Sequence, residues 1–261
     1  MKVIISDPVK VSCFVALFQN MKQITDYVNI ICNEDKWYIQ SMDSHRVSVI
    51  ELFLESSWFN EYNIDNNNLT IGIHTNVMAK VISTIDKNQG ILIEVEEDNV
   101  EKLYISYFTE DSSVTQKQFR IPLVDLDVDL MEIPEGMNNT IQFTLSYSPF
   151  ADMSKQLLLF GESIQFDCKS DKITLSTSSD ENGSMDILLN KKELVSYDFD
   201  TDTKLEFSLA ILNKINAYQK MSNNISIQLS NEYPLKASVY FDPNNENSKL
   251  IYYLAPKIGD D

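Results

Sequence analysis

The chain has 261 residues, which is room for two domains of ordinary size. Its 43% hydrophobic and 23% charged content is that of a globular protein with a full core, and excludes a disordered chain. A net charge of −18 argues against nucleic acid as a partner of the surface as a whole, because affinity for duplex DNA grows with the phosphates that Lys and Arg neutralise.

From the N-terminus, Asp7-Pro8 precedes an apolar period in which Phe14, Leu17, Phe18 and Met21 share one face, and a helix over 8–26 is expected. The run 11–18 is the nearest approach to a signal peptide, but no small-residue cleavage site follows it. No apolar run comes near the ~20 residues that span a bilayer. Alternating or apolar stretches at 28–33, 37–42, 46–54, 91–97 and 102–108 read as strands, with a second helix expected over 74–88. Further strands are expected at 140–147, 163–168, 172–177, 185–189, 204–209, 225–230 and 235–241. Helical periods recur at 147–161 and 208–222, and turn clusters such as 65–68 and 242–245 separate the elements.

The two halves match at a constant offset of 136 residues. Phe14 falls on Phe150, Leu17 on Met153, Met21 on Leu157, Cys32 on Cys168 and Asp35-Lys36 on Asp171-Lys172. The same shift sets Val49 on Met185, Phe53 on Leu189, Ile71 on Phe207 and Ile73 on Leu209. An internal duplication follows, each half reading helix–strands–helix–strands. Between the halves, the stretch 121–136 alternates acids with Leu, Val, Met and Ile and carries Pro122 and Pro134. It reads as an acidic edge strand, or as an extended linker that displays Met131 and Ile133 for docking.

Cys13, Cys32 and Cys168 are widely spaced and form no Cys-x-x-Cys, which points to a reducing compartment. With His45 and His74 the only histidines, little is left for a zinc site. There is no Gly-rich phosphate loop, nucleophile elbow or His-Glu-x-x-His motif, so neither an enzyme nor a cofactor is expected. The acidic run 94–98 reads as a solvated strand end.

Charge is unevenly placed. The four helical segments hold Lys10, Lys22, Lys80, Lys87, Lys155, Lys214 and Lys220 against Asp26, Asp86 and Asp152, while the chain as a whole has 21 basic and 39 acidic residues. Either Lys is simply the better helix former, or the helices share a mildly positive face on an otherwise acidic protein. Such a face suits sliding along phosphates without gripping them.

Three segments carry a family likeness. They are Gln40-Ser41-Met42-Asp43-Ser44-His45-Arg46-Val47-Ser48; Leu123-Val124-Asp125-Leu126-Asp127-Val128 followed by Ile133-Pro134; and Leu250-Ile251-Tyr252-Tyr253-Leu254-Ala255-Pro256-Lys257-Ile258 with Asp260-Asp261 at the end. They resemble the proliferating cell nuclear antigen family of DNA sliding clamps, across essentially the full length.

The resemblance implies an α+β DNA-clamp fold with two similar domains, 1–121 and 140–261, each with two helices packed on β-sheets. A connector, 122–139, joins them, and three copies close into a ring-forming homotrimer with the helices lining the hole. The implied function is that of a polymerase processivity factor without enzymatic activity, cofactor or metal. It would encircle double-stranded DNA irrespective of sequence. It would tether DNA polymerase, the clamp loader and other proteins bearing a Gln-aliphatic-aromatic-aromatic motif. A nuclear location is implied, or a viral or cytoplasmic replication site if the source is viral, with no membrane partner.

Carried over residue by residue, the peptide pocket falls on Met42, Val47, Met131, Ile133, Pro234, Tyr253, Ala255, Pro256 and Ile258, and Tyr253 is expected to be replaceable by Ala without unfolding. The DNA-facing set is Lys10, Lys22, Lys80, Lys87, Lys155, Lys214 and Lys220. Subunit edges fall at about 114–121, with Lys117 and Phe119, and at about 183–189, with Met185 and Ile187. Phe14, Asp152 and Ala217 stand where the family often has basic residues, and Ser170 replaces its ubiquitin-accepting Lys, with Lys169 and Lys172 close by. The alternatives are a clamp-fold processivity factor acting as a monomer, a subunit of a heterotrimeric checkpoint clamp, or a β-rich interaction module unrelated to DNA.

Overall fold

A computed structural model describes residues 1–64, 69–96, 99–109, 116–127, 129–134, 140–242 and 245–257. The chain divides into two compact units. The first holds residues 1–44, 51–131 and 245–249, and the second holds 45–50, 132–244 and 250–261.

Local chemistry starts the first unit. After β1 (Lys2–Ile5), the Asp7 carboxylate accepts from the amides of Val9 at 2.8 Å and Lys10 at 3.1 Å, capping α1 (Pro8–Met21). Such a cap is worth about 1 kcal/mol, and Pro8 at the first helical position gives up no needed donor. Phe14, Leu17, Phe18 and Met21 are buried, with the Phe14 ring 4.8 Å from Phe18 and 6.3 Å from Trp37. The helix ends sooner than the expected 26. There follow β2 (Tyr27–Cys32), β3 (Lys36–Met42), β4 (Ser48–Glu55), β5 (Glu61–Asn63), β6 (Leu69–His74), α2 (Thr75–Ile82), β7 (Gly90–Glu96), β8 (Asn99–Phe108) and β9 (Lys117–Pro122).

The chain continues with β10 (Ile141–Ser146), α3 (Tyr147–Leu157), β11 (Ser163–Cys168), β12 (Lys172–Ser179), β13 (Gly183–Asn190), β14 (Ser196–Phe199), β15 (Thr203–Ser208), α4 (Leu209–Leu212), β16 (Asn224–Leu229) and β17 (Leu235–Asp242) in the second unit, and with β18 (Asn245–Leu254), whose residues 245–249 belong to the first unit and the rest to the second. Here α4 passes directly into a 3₁₀ helix, Asn213–Tyr218. The Asn213 amide group donates to the Leu209 carbonyl at 3.0 Å, a side-chain bond that competes with continued α-helix.

The duplication is present strand for strand. Strand orders β5-β1-β7-β8-β9 and β4-β3-β2-β6 recur as β14-β10-β16-β17-β18 and β13-β12-β11-β15, each label raised by nine. At the β2–β3 hairpin the Asn33 amide donates to Lys36 O, and at β11–β12 the Lys169 amide donates to Lys172 O, so the offset of 136 holds there. Tyr62 OH bonds Asn33 O just as Tyr197 OH bonds Lys169 O.

Further along, the expected matches slip. The Ser56 amide donates to Asp35 O and the Lys191 amide to Asp171 O, an offset of 135. Val28 pairs with Ile73 and Ile164 with Phe207, an offset of 134. Phe207 therefore answers to Ile73 and not Ile71, and Leu209 opens a helix where Thr75 does. Likewise Met185 and Leu189 answer to Ile50 and Leu54, not to Val49 and Phe53. Shortened loops moved the register, and in a strand one residue exchanges the faces.

Candidate functional site

The stretch after β9 lies along the first unit without forming a further strand. The Leu123 amide donates to Glu101 O at 2.9 Å, and the Val124 amide to Gly72 O on the edge strand β6 at 2.9 Å. The Asn29 side chain donates to Leu126 O at 3.1 Å. Farther on, the Gln40 carboxamide makes a reciprocal pair with Met131, donating to its carbonyl at 2.9 Å and accepting from its amide at 2.6 Å. These bonds satisfy connector groups that would otherwise depend on water. They leave Asp125, Asp127 and Asp129 exposed and hold Leu130 and Met131 at the surface, 46% and 43% exposed. Val128 lies outside the described residues.

The rest of the expected peptide pocket divides between the units. Met42, the last residue of β3, is half-buried and belongs with Met131 in the first. Val47, Ile133, Pro234, Tyr253, Ala255 and Pro256 belong to the second. There the Ala255 amide donates to Val47 O at 2.9 Å and the Lys257 amide to Glu206 O at 2.8 Å, so the segment after β18 is fixed at both places. Pro234 and Ala255 are exposed; Val47, Ile133 and Pro256 are half-buried. Ile258 lies outside the described residues. Tyr253 is only 7% exposed. Removing so buried a ring costs about 3 kcal/mol or more, so Tyr253→Ala lowers stability as well as altering the surface.

Helix boundaries redistribute the expected DNA-facing lysines. Lys10, Lys80 and Lys155 lie within α1, α2 and α3, and Lys214 within the 3₁₀ helix. Lys22 caps α1, while Lys87 and Lys220 lie beyond the helical ends. Lys22, Lys80, Lys87, Lys155 and Lys220 are exposed. Lys10 is half-buried with its ammonium 5.9 Å from the Trp58 ring centroid, and Lys214 is half-buried. Phe14 is fully buried, so it takes no basic position from an exposed face; Asp152 is exposed on α3.

Two sheet edges complete the candidate surfaces. β9 ends one sheet of the first unit and β13 ends one sheet of the second. On β9, the Phe119 ring packs 5.4 Å from Tyr107, and Lys117 Nζ donates to Thr84 O at 2.6 Å and to Asp86 Oδ2 at 2.8 Å. On β13, Met185 and Ile187 are half-buried. Their counterparts on β4, Ile50 and Leu52, are 0% and 1% exposed. Nearby, Lys169 reaches Asp202 at 2.8 Å and Asp167 at 3.6 Å, with the Asp202 bond raising its pKa, and Lys172 is exposed.

A family model described as proliferating cell nuclear antigen, N-terminal domain, matches residues 9–131. "Proliferating cell nuclear antigen 2" of Plasmodium falciparum is 28% identical over 95% of this chain and 96% of its own length. Proliferating cell nuclear antigen of Chaetomium thermophilum is 27% identical, covering 92% and 93%. "Proliferating cell nuclear antigen 2" of Drosophila melanogaster is also 27% identical, covering 92% of each. The chain is thus similar to proliferating cell nuclear antigens, and the similarity spans both duplicated units, since the relatives align over nearly the whole length.

Of the two connector residues that sequence reasoning expects to be displayed, Met131 is exposed and Ile133 is half-buried, while the exposed Leu130 is not among them; it also gives no holding role to Asn29, Gln40 and Gly72. Their signal was available as polar or small residues at strand positions, Asn29 within β2, Gln40 within β3 and Gly72 within β6.

Proposed function

We propose that three copies of this chain close head to tail into a ring around duplex DNA and act as a sliding clamp. The domains are 1–121 and 140–261, with 122–139 as connector. The protein catalyses nothing and needs no cofactor. It binds DNA irrespective of sequence, through the exposed lysines of its helical segments. It tethers DNA polymerase, the clamp loader and other proteins by a Gln-aliphatic-aromatic-aromatic peptide docked beside the connector, in the nucleus or at a viral or cytoplasmic replication site.

One observation carries the ring. In the first unit, the 245–249 stretch of β18 lies beside β4, where the Glu55 amide donates to Ser248 Oγ at 3.1 Å. β18 and β4 are the duplicates of β9 and β13, each of which ends a sheet. A chain that already joins one such couple needs only a second copy to join the other, and closed symmetry removes every such edge. The half-buried Met185 and Ile187, beside fully buried counterparts on β4, fit a β13 that lacks its neighbour.

For the peptide, Met42 and Met131 offer adaptable apolar surface that pairs well with aromatic rings. Modest contacts suffice once ring and partner share one DNA, because effective concentrations then reach the order of millimolar. Light scattering during size exclusion tests the ring: three chains of 30.0 kDa give about 90 kDa. A mass that stays at one chain at all concentrations refutes it, and favours a monomeric factor or a subunit awaiting different partners.

A further inference from the structure

The β9 and β13 edges each present one outward charge. Along β9, Lys117, Phe119 and Ile121 turn toward the first unit while Gln118, Arg120 and Pro122 are exposed. Along β13, Met185, Ile187 and Leu189 are half-buried while Ser184, Asp186 and Leu188 are exposed. The Arg120 guanidinium lies 5.9 Å over the Tyr104 ring and donates to Gln118 Oε1 at 3.4 Å. The Asp186 carboxylate has no hydrogen bond or ion pair among the described residues.

Side chains directly opposite each other in an antiparallel pair point to the same face. An antiparallel register that sets Phe119 against Ile187 also sets Ile121 against Met185, and it brings Arg120 opposite Asp186. A slip of one residue would face Arg120 with Met185 or Ile187 and turn apolar side chains outward. A slip of two would leave Arg120 against Ser184 or Leu188. Lys117, the one charge on the inward face of β9, falls opposite Leu189. Its ammonium is already drawn off to Thr84 and Asp86, which leaves the aliphatic stem for apolar contact.

We propose that Arg120 of one copy and Asp186 of the next form an ion pair that selects this register and makes closure specific for another copy of this chain. The proposal rests on the ring reading above and adds a side-chain pairing which that reading does not contain. Copies carrying −18 each repel one another, and the pair puts opposite charges along the line of closest approach.

The test is the assembly mass, by light scattering over a concentration series, of the unaltered chain, Arg120→Asp, Asp186→Arg and the double exchange. Circular dichroism reports whether each is folded. Facing like charges in either single variant should raise the concentration of half-assembly about tenfold or more, and the double exchange should return it to within about threefold. Single variants that assemble like the unaltered chain overturn the pair and leave the ring standing. So does a double exchange no better than the singles. An unaltered chain that never assembles overturns both. Should a reversal fail to fold, Arg120→Gln and Asp186→Asn take its place, with a rise of about fivefold expected and no rise as the contrary result.

Discussion

Gly72 and Val124 touch backbone to backbone: the Val124 amide donates to Gly72 O at 2.9 Å, and a Cβ added to Gly72 would stand 1.9 Å from Val124 O. No rotamer relieves such a contact, so Gly72→Ala must displace the connector. We expect a loss of about 1–3 kcal/mol in denaturant unfolding, with fast exchange of the Val124 amide. Unchanged stability with that amide still protected contradicts the contact.

Gln40 fixes the connector farther along, at Met131. Gln40→Ala removes two bonds to Met131 that lie at the surface, so global stability should fall by no more than about 1 kcal/mol. Affinity for a Gln-aliphatic-aromatic-aromatic peptide, measured by calorimetry, should fall about threefold to tenfold as Met131 loses its fixed position. Unaltered peptide affinity would separate Met131 from the docking surface.

The lysines should differ in rank. Lys80→Glu and Lys155→Glu should each lower the salt-dependence slope of DNA binding by about one, the signature of a lost phosphate contact. Lys10→Ala should change it less, because that ammonium lies over the Trp58 ring on a half-buried side chain. Equal slopes for all three would show that exposure does not govern the contact.

Burial raises several acids. Cys13 and Cys168 are pushed from 9.0 up to about 12, and Tyr107 from 10.0 up to about 12, each chiefly by loss of water around the charged form. Raised folded values mean that the native state holds these protons more tightly than the unfolded chain. Their stabilisation is complete below about pH 9 and is lost as pH rises from there toward 12. Urea midpoints should thus decline steadily above pH 9, and native thiols should resist alkylation at pH 8. Rapid native alkylation of Cys168 would contradict its burial.

Legibility from sequence followed the physics of each element. The duplication was readable at 33–36 and 169–172 because a tight hairpin fixes the spacing of its flanking strands, and Cys32 and Cys168 end the first strand of each. It became misleading from β4 and β13 onward, where loops shorter by one residue and then by two in total shift every later match while the apolar alternation still looks regular. Helix ends overran for a related cause. Ile24, Ile85 and Met221 keep an apolar period going through turns that follow the last helical residue, and Ile24 is itself buried. The connector anchors went unread because the Gln40 bonds reach a backbone 91 residues away, which no local pattern encodes.

Encirclement itself is tested most directly on DNA topology. Labelled protein loaded by clamp loader and ATP onto a singly nicked circle should co-elute with the DNA through gel filtration at moderate salt. It should be lost when the same circle is cut once, because a ring slides off a free end. Equal retention on the circle and on the cut molecule would mean that the protein holds DNA by surface contact, and would contradict the account.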